Sequence, residues 1–210
     1  INYVDLLKRE NIQDPKIQGY LDILEAKAQR LKHLTEDVVE ASKISSGNIT
    51  MEYMNINFVE MINQTTGEFA EKFEKRNLQI VLNVPEKPVM VRTDGRRMWR
   101  VIENIYNNAA KYALEGTRVY ADLIEKEHTV EFSLKNISEQ PLNISADELT
   151  ERFIRGDVSR STEGSGLGLS IAKNLTELQG GKFELYLDGD LFKVTIVFPK
   201  AVVGQSVTKS

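Results

Sequence analysis

The sequence predicts an α+β protein: a two-layer sandwich of helices on a largely antiparallel sheet, preceded by a helical hairpin suited to pairing into a dimeric four-helix bundle. Three observations carry that prediction. Ile17, Leu21, Leu24, Ala28, Leu31, Thr35, Val38 and Ser42 recur at alternating intervals of four and three, with Tyr20, Lys27, Leu34 and Ala41 widening the stripe. After Ser45-Ser46-Gly47-Asn48 the apolar period switches to two in several short runs. Between those runs lie amphipathic segments of helical period.

Taken in order, Ile1 to about Glu10 has Val4, Leu6 and Leu7 among charges and reads as the tail of a helix. Asp14 is a good N-cap, and Pro15 suits the first helical position, where its missing N–H costs nothing. The heptad helix follows and ends in turn chemistry at Ser45 to Asn48. Phe58 to about Arg76 is a helix through Val59, Ile62, Phe69 and Phe73, and Leu78, Ile80, Leu82 and Val84 alternate as a half-buried strand. Pro88 to Arg92 makes a second short strand, and Asp94 caps a helix to about Tyr112. Strands are expected near Arg118 to Glu125 and Thr129 to Lys135, then a short helix near Ala146 to Phe153 in a loop-rich stretch. A glycine cluster precedes a helix near Leu167 to Gln179, and strands at Phe183 to Leu187 and Phe192 to Phe198 flank Asp188-Gly189-Asp190. The expected units are therefore a truncated hairpin over 1–47, a mixed domain over 48–200 and a frayed tail over 201–210.

Composition closes off several classes of function. The chain has 210 residues, 41% of them hydrophobic and 28% charged, a globular balance. With no cysteine, thiol catalysis, disulfides and cysteine-based zinc sites are excluded, and a reducing cytoplasmic setting is allowed. The net charge of −4 argues against a nucleic-acid partner, which would favour a basic surface. Apolar stretches such as Val194 to Phe198 fall far short of the roughly 18 residues a membrane span needs. The chain opens at Ile1 inside a helical pattern, so it is expected to be a fragment of something longer.

The chemistry concentrates in two places. On the helix after Asp94, Met98, Ile102, Ile105 and Ala109 form the apolar stripe, while Asn104, Asn108 and Lys111 share a second face about 100° away. A carboxamide oxygen can ligate a hard divalent cation, and a lysine one turn on can neutralise the phosphates that the cation bridges. Asparagine is a poor residue inside a helix, so two on one face need a reason, although a solvated polar face is the plain alternative. The second place is Gly164-Ser165-Gly166-Leu167-Gly168-Leu169, which opens a helix whose N-terminal N–H groups suit phosphate oxygens. It follows a polar loop and not a strand, which removes the context of a dinucleotide fingerprint.

Glu103 to Tyr112 resembles the N box of sensor histidine kinases, and Gly164 to Leu169 resembles their G2 box, in the right order and separation. Between them, Glu151-Arg152-Phe153-Ile154-Arg155-Gly156-Asp157 with Ser159-Arg160 is similar to the F box and ATP lid. Arg30-Leu31 through Ser46-Gly47 resembles the second helix of the dimerisation and histidine-phosphotransfer hairpin. The resemblance implies a Bergerat-type ATP-binding fold, with ATP and Mg²⁺ as ligand and cofactor. Asn108 would ligate the metal, Lys111 would contact a phosphate, Tyr112 would stack near adenine and Asn104 would orient the metal–phosphate cluster. Arg155 and Arg160 would steady the transferred phosphoryl group. Gly164, Gly166, Leu167 and Gly168 would let the lid pivot and the backbone approach the triphosphate. It further implies a homodimer through the hairpin, a response-regulator receiver domain as partner, and a cytoplasmic domain of a parent anchored in the cell membrane.

Three features refine the expectation. ATP-hydrolysing members of the superfamily carry a glutamate four residues before the metal-binding asparagine, where this chain has Asn104, an amide that cannot take a proton from water. Family kinases have an Asp-x-Gly-x-Gly box whose aspartate accepts from the adenine amino group. Here the alternation Phe132, Leu134, Asn136 brings Asn136 to that place, and Ile137 to Pro141 contains no glycine. Asn136 can accept through its amide oxygen, without the charge, or it can be an ordinary strand-end residue. The family's phosphoacceptor histidine lies on the first hairpin helix, before this chain starts. His33, followed by Leu34-Thr35-Glu36, and His128, in a strand-connecting turn, read as solvated residues. The competing functions are a nucleotide-independent interaction module and a superfamily ATPase.

Overall fold

A computed structural model describes residue 7 and residues 14–47, 49–142 and 167–201. Helix α1 (Pro15–Ser45) starts as expected: the Asp14 side chain accepts from the Lys16 N–H at 2.8 Å, with Pro15 in the first turn. Its heptad residues Ile17, Leu24, Leu31 and Val38 face solvent, and Leu31 is 63% exposed. Of the helix tail expected before Asp14 only Leu7 is described, and it is helical; the hairpin turn, the short helix near 146–153 and the chain end beyond 201 lie outside the described residues.

Ten further elements follow, namely β1 (Tyr53–Asn57), α2 (Phe58–Glu74), β2 (Gln79–Asn83), β3 (Met90–Asp94), α3 (Gly95–Tyr112), β4 (Arg118–Glu125), β5 (Thr129–Ile137), α4 (Gly168–Leu178), β6 (Lys182–Asp188) and β7 (Leu191–Pro199). Strand β1 was not among the expected elements; its residues Tyr53, Met54 and Asn55 are exposed, so no alternation marks it, and it exists by pairing antiparallel with β3. The main sheet has the order β2-β4-β5-β7-β6. All its pairings are antiparallel except β2 with β4, whose parallel register needs the crossover that β3 and α3 supply.

One face of that sheet is covered by helices. Register sets Leu123, Phe132, Ile196 and Phe183 in one inward row and Ala121, Leu134, Val194 and Leu185 in the next. Opposite them stand Ile62, Phe69 and Phe73 of α2, Met98, Ile102, Ile105 and Tyr106 of α3, and Ile171 and Leu175 of α4, forming one continuous core. Tyr106 lies stacked against Phe132, with centroids 6.2 Å apart. The far face carries polar pairs such as Lys135 with Asp122 at 3.3 Å. Gly181 joins α4 to β6 where a Cβ would meet the Phe198 ring at 2.6 Å, so only glycine fits without movement.

Tyr106 supplies a pH test of this core. Its side chain is fully buried, with the hydroxyl 2.8 Å from Thr66 Oγ1. Burial pushes the phenol up to about 12, against the opposing effect of the Thr66 hydrogen bond. An unfolded chain ionises this group near pH ~10, so between there and about 12 the folded state holds more proton. Its contribution to stability is complete below that window and is lost as pH rises through it. Denaturant midpoints should therefore fall more steeply for the wild type than for Tyr106→Phe from about pH 9.5 upward; parallel curves would contradict the assignment.

Candidate functional site

Helix α3 is fixed at its start by Asp94. One carboxylate oxygen accepts from the Arg97 N–H at 3.1 Å, and the other accepts from the Glu52 N–H at 3.0 Å. Burial of Met98, Val101, Ile102, Ile105 and Ala109 then sets the rotation of the helix. The face bearing Asn104, Asn108 and Lys111 is left at the rim, where all three, with Tyr112, line one cavity of about 790 Å³. The same cavity is lined by Gly168 and Leu169 at the start of α4. A Cβ at Gly168 would stand 3.1 Å from Asn104 Oδ1, so the two segments meet at close range.

Two buried polar atoms near this site lack partners. Asn104 is 8% exposed, and its Nδ2 donates to nothing among the described residues. Asn136 is 3% exposed; its Nδ2 donates to the Ile137 carbonyl at 3.1 Å, which leaves Oδ1 as an acceptor with no donor. Rotating the amide would set two oxygens against each other, so the hydrogen bond decides which atom is left over. Each orphaned group costs about 1–3 kcal/mol if nothing fills it. Asn136 sits in an inward row between Val119 and Phe192, where an apolar side chain would serve packing better. It does not form part of the cavity wall described above.

Cations gather on the remaining walls. Lys72, Lys75 and Arg76 come from the end of α2, and Lys27 and Arg30 come from α1. Lys111 Nζ lies 4.6 Å from the Tyr112 ring centroid, and Lys72 Nζ donates to Asn107 Oδ1 at 2.7 Å. In a chain of net charge −4 this local excess suits a polyanion. Helix α1 is held beside the cavity by a charge cluster. Arg97 pairs with Glu40 at 2.7 Å, and Arg100 pairs with Glu40 at 3.2 Å, with Glu103 at 2.8 Å and with Asp37. Burial alone would lower the Arg100 guanidinium, but the hydrogen bond and charge of Glu103, with Asp37 and Glu40 behind it, raise it above its ordinary value.

The residues singled out in the sequence divide three ways. Asn104, Asn108, Lys111, Tyr112 and Gly168 come together in one cavity, and Leu167 is the half-buried residue that begins α4 without a side-chain cap. Asn136 is buried on β5 away from that wall. Arg155, Arg160, Gly164 and Gly166 lie outside the described residues. The charge cluster was not anticipated. Its signal was present, since Asp37 and Glu40 share the three-residue spacing of Arg97 and Arg100, but spacing alone names no partner.

The model of the histidine kinase-, DNA gyrase B- and HSP90-like ATPases matches residues 93–202, just over half the chain, running from the end of β3 past β7. The chain belongs to this family. Within it, the similarity runs to the sensor kinases. The sensor protein VanSC of Enterococcus gallinarum is 29% identical over 203 residues, covering 95% of this chain and 56% of that protein. The chain thus spans about half the length of this curated relative, and 23% of the sensor histidine kinase GacS of Pseudomonas protegens. Among solved structures, the catalytic domain of histidine kinase ThkA is 26% identical with a TM-score of 0.62, over 71% of this chain and 97% of that one. ThkA solved in complex with the response regulator protein TrrA covers 95% of this chain and 56% of its own, with a TM-score of 0.66 and 21% identity, and so shares the fold.

For this histidine kinase-like ATPase domain the contact between Gly168 and Asn104 is directly testable. Gly168 is the first residue of α4, and the three atoms nearest an added Cβ all belong to the Asn104 side chain, so Gly168→Ala should change the melting temperature little. The added methyl group displaces the Asn104 amide, and affinity for an ATP analogue should fall several-fold. Unchanged affinity with an intact fold would show that the two segments do not share a ligand.

Proposed function

We propose that the cavity between α3 and the start of α4 binds Mg²⁺-ATP, and that the chain is the ATP-binding part of a protein-histidine kinase. It would pass the γ-phosphoryl group to a histidine, for relay to an aspartate of a response-regulator receiver domain. The observation that carries this reading is the convergence of Asn104, Asn108, Lys111 and Gly168 on one cation-rich cavity, with the buried Nδ2 of Asn104 left without an acceptor.

Asn108, half-buried on the cavity wall, would hold Mg²⁺ through its carboxamide oxygen. Among the described residues no cluster of three or more His, Asp or Glu side chains stands ready for a metal. The cation would therefore depend on Asn108 and on phosphate oxygens, where it supplies neutralising charge. Lys111 would meet a phosphate, the N-terminal N–H groups of α4 would meet others, and Tyr112 would lie along the adenine ring. Asn136, whose Oδ1 has no donor, is proposed as the acceptor for the adenine amino group although it lies off the cavity wall described above. Arg155 and Arg160 are proposed to contact the transferred group, with Gly164 and Gly166 as lid pivots.

In the transfer, the bond between the γ-phosphorus and the β–γ bridging oxygen breaks, a phosphorus–nitrogen bond forms to imidazole, and ADP leaves. Hydrolysis would need a base for water, and among the described residues none stands four residues before Asn108. Asn104 is an amide, and the neighbouring Glu103, although on the cavity wall, has its carboxylate held by Arg100 at 2.8 Å. Neither described histidine is proposed as acceptor. His128 is exposed beside Glu127, and the sequence after His33 does not resemble an H box. Residues 1–47 are proposed as part of the dimerisation hairpin and 48–200 as the catalytic unit; the solvent-facing stripe of α1 supports a homodimer, since such a stripe is stable when a partner covers it. No described helix is long and apolar enough to cross a membrane, so anchoring of the longer parent would rest on other sequence.

Calorimetric titration with a non-hydrolysable ATP analogue is the test. Wild type should bind about tenfold or more tightly with Mg²⁺ than with EDTA, and Asn108→Ala should abolish that difference. No heat up to millimolar analogue would favour the interaction-module reading, and steady phosphate release dependent on Asn108 would favour an ATPase.

A further inference from the structure

Arg76 follows α2 at the point where the chain turns toward β2. Its Nη1 donates to the Ala110 carbonyl at 3.1 Å and to the Lys111 carbonyl at 2.5 Å, and its Nη2 donates to Glu139 at 2.9 Å. The first two acceptors are terminal carbonyls of α3, where a helix presents the negative end of its dipole and welcomes a cation. The third belongs to the segment leaving β5. Arg76 thus ties together two pieces of chain that the main chain also stitches. The Glu139 N–H donates to the Tyr112 carbonyl at 2.8 Å, and the Ile137 carbonyl accepts from both the Leu114 N–H at 2.8 Å and Asn136 Nδ2 at 3.1 Å.

Three groups placed by this junction are ones the proposed function assigns to the nucleotide. Lys111 and Tyr112 stand at the end of α3, and the orientation of Asn136, which leaves Oδ1 as acceptor, depends on the Ile137 carbonyl. The side chain of Arg76 is 26% exposed, and its guanidinium is occupied on both nitrogens that the geometry describes. We infer that Arg76 is a positioning residue for the base-binding end of the ATP site: it locks the end of α3 to the exit of β5, so that Tyr112 and the Asn136 acceptor are held in register. This inference rests on the nucleotide reading above, and it assigns Arg76 to the base end of the ligand although the residue also lines the cavity.

A lysine at this position keeps the charge but lacks the planar fork that reaches three acceptors at once. The experiment compares the wild-type chain with Arg76→Ala, Arg76→Lys and Glu139→Gln by calorimetry with Mg²⁺-ATP analogue, ADP and the guanine triphosphate analogue, alongside melting curves. Failure of the wild type to bind any nucleotide overturns the proposed function itself. If the wild type binds, Arg76→Ala should weaken ADP and the ATP analogue by the same factor, about tenfold, and narrow the preference for adenine over guanine. Arg76→Lys should recover only part of the preference, and Glu139→Gln should shift it in the same direction. A loss that grows from ADP to ATP would place the effect of Arg76 at the phosphate end, directly or through Lys111, and overturn the inference. So would an equal loss for adenine and guanine ligands, which is what a merely structural role would give.

Discussion

Burying the Met98, Ile102, Ile105 and Ala109 stripe of α3 against the sheet and α4 leaves that helix no freedom to rotate, because Tyr106 is stacked on Phe132 and interior packing leaves no room for the alternative. Every polar side chain on α3 inherits its direction from that burial. Asn104 is driven to the seam with α4, Asn108 and Lys111 open onto the cavity, and Glu103 turns toward Arg100. A site built on a helix in this way is held by a core of large side chains and not by the few polar contacts it makes itself. The close approach of Gly168 follows from the same packing, since α3 and α4 cover neighbouring parts of one sheet face.

Against that rigid background the unpaired amides are informative. A core that satisfies nearly all its polar groups has no packing reason to keep an asparagine in the row formed by Val119 and Phe192, or to leave Asn104 Nδ2 without an acceptor. Hydrophobic burial elsewhere offsets the cost of a few kcal/mol that two such groups imply. Local rules are expected to fail at functional positions, and here they fail at Asn104 on the cavity wall and at Asn136, which lies off it.

Much of the arrangement was legible from residue pattern. The caps at Asp14 and Asp94, the stripe of α3 and the alternation of β5 fixed elements whose bounds agree closely with the structure, because each reflects a local rule of burial or hydrogen bonding. The convergence of Asn104 with Gly168 was legible only through resemblance, since the 63 residues of intervening chain carry no spacing signal. What stayed hidden depends on pairing between distant segments. Strand β1 has no alternation of its own and forms because β3 offers an edge. Arg76 reads in sequence as one more charge at a helix end, and only the fold shows which carbonyls it reaches.

Helix α1 combines two opposed demands. Its apolar stripe at Ile17, Leu24, Leu31 and Val38 lies in water, while Asp37 and Glu40 are drawn onto Arg97 and Arg100 of α3 with all four side chains largely shielded. Ion pairs of this kind gain little over hydration unless several share one network, and here Arg100 serves three carboxylates at once. The contact therefore fixes where α1 sits without satisfying its hydrophobic face. Because α1 supplies one wall of the cavity and α3 another, a ligand that touches both would bind unequally to arrangements that differ in the placing of α1. By linkage, the position of the helix and the occupancy of the cavity cannot then be independent, and the size of their coupling is bounded by that difference in affinity.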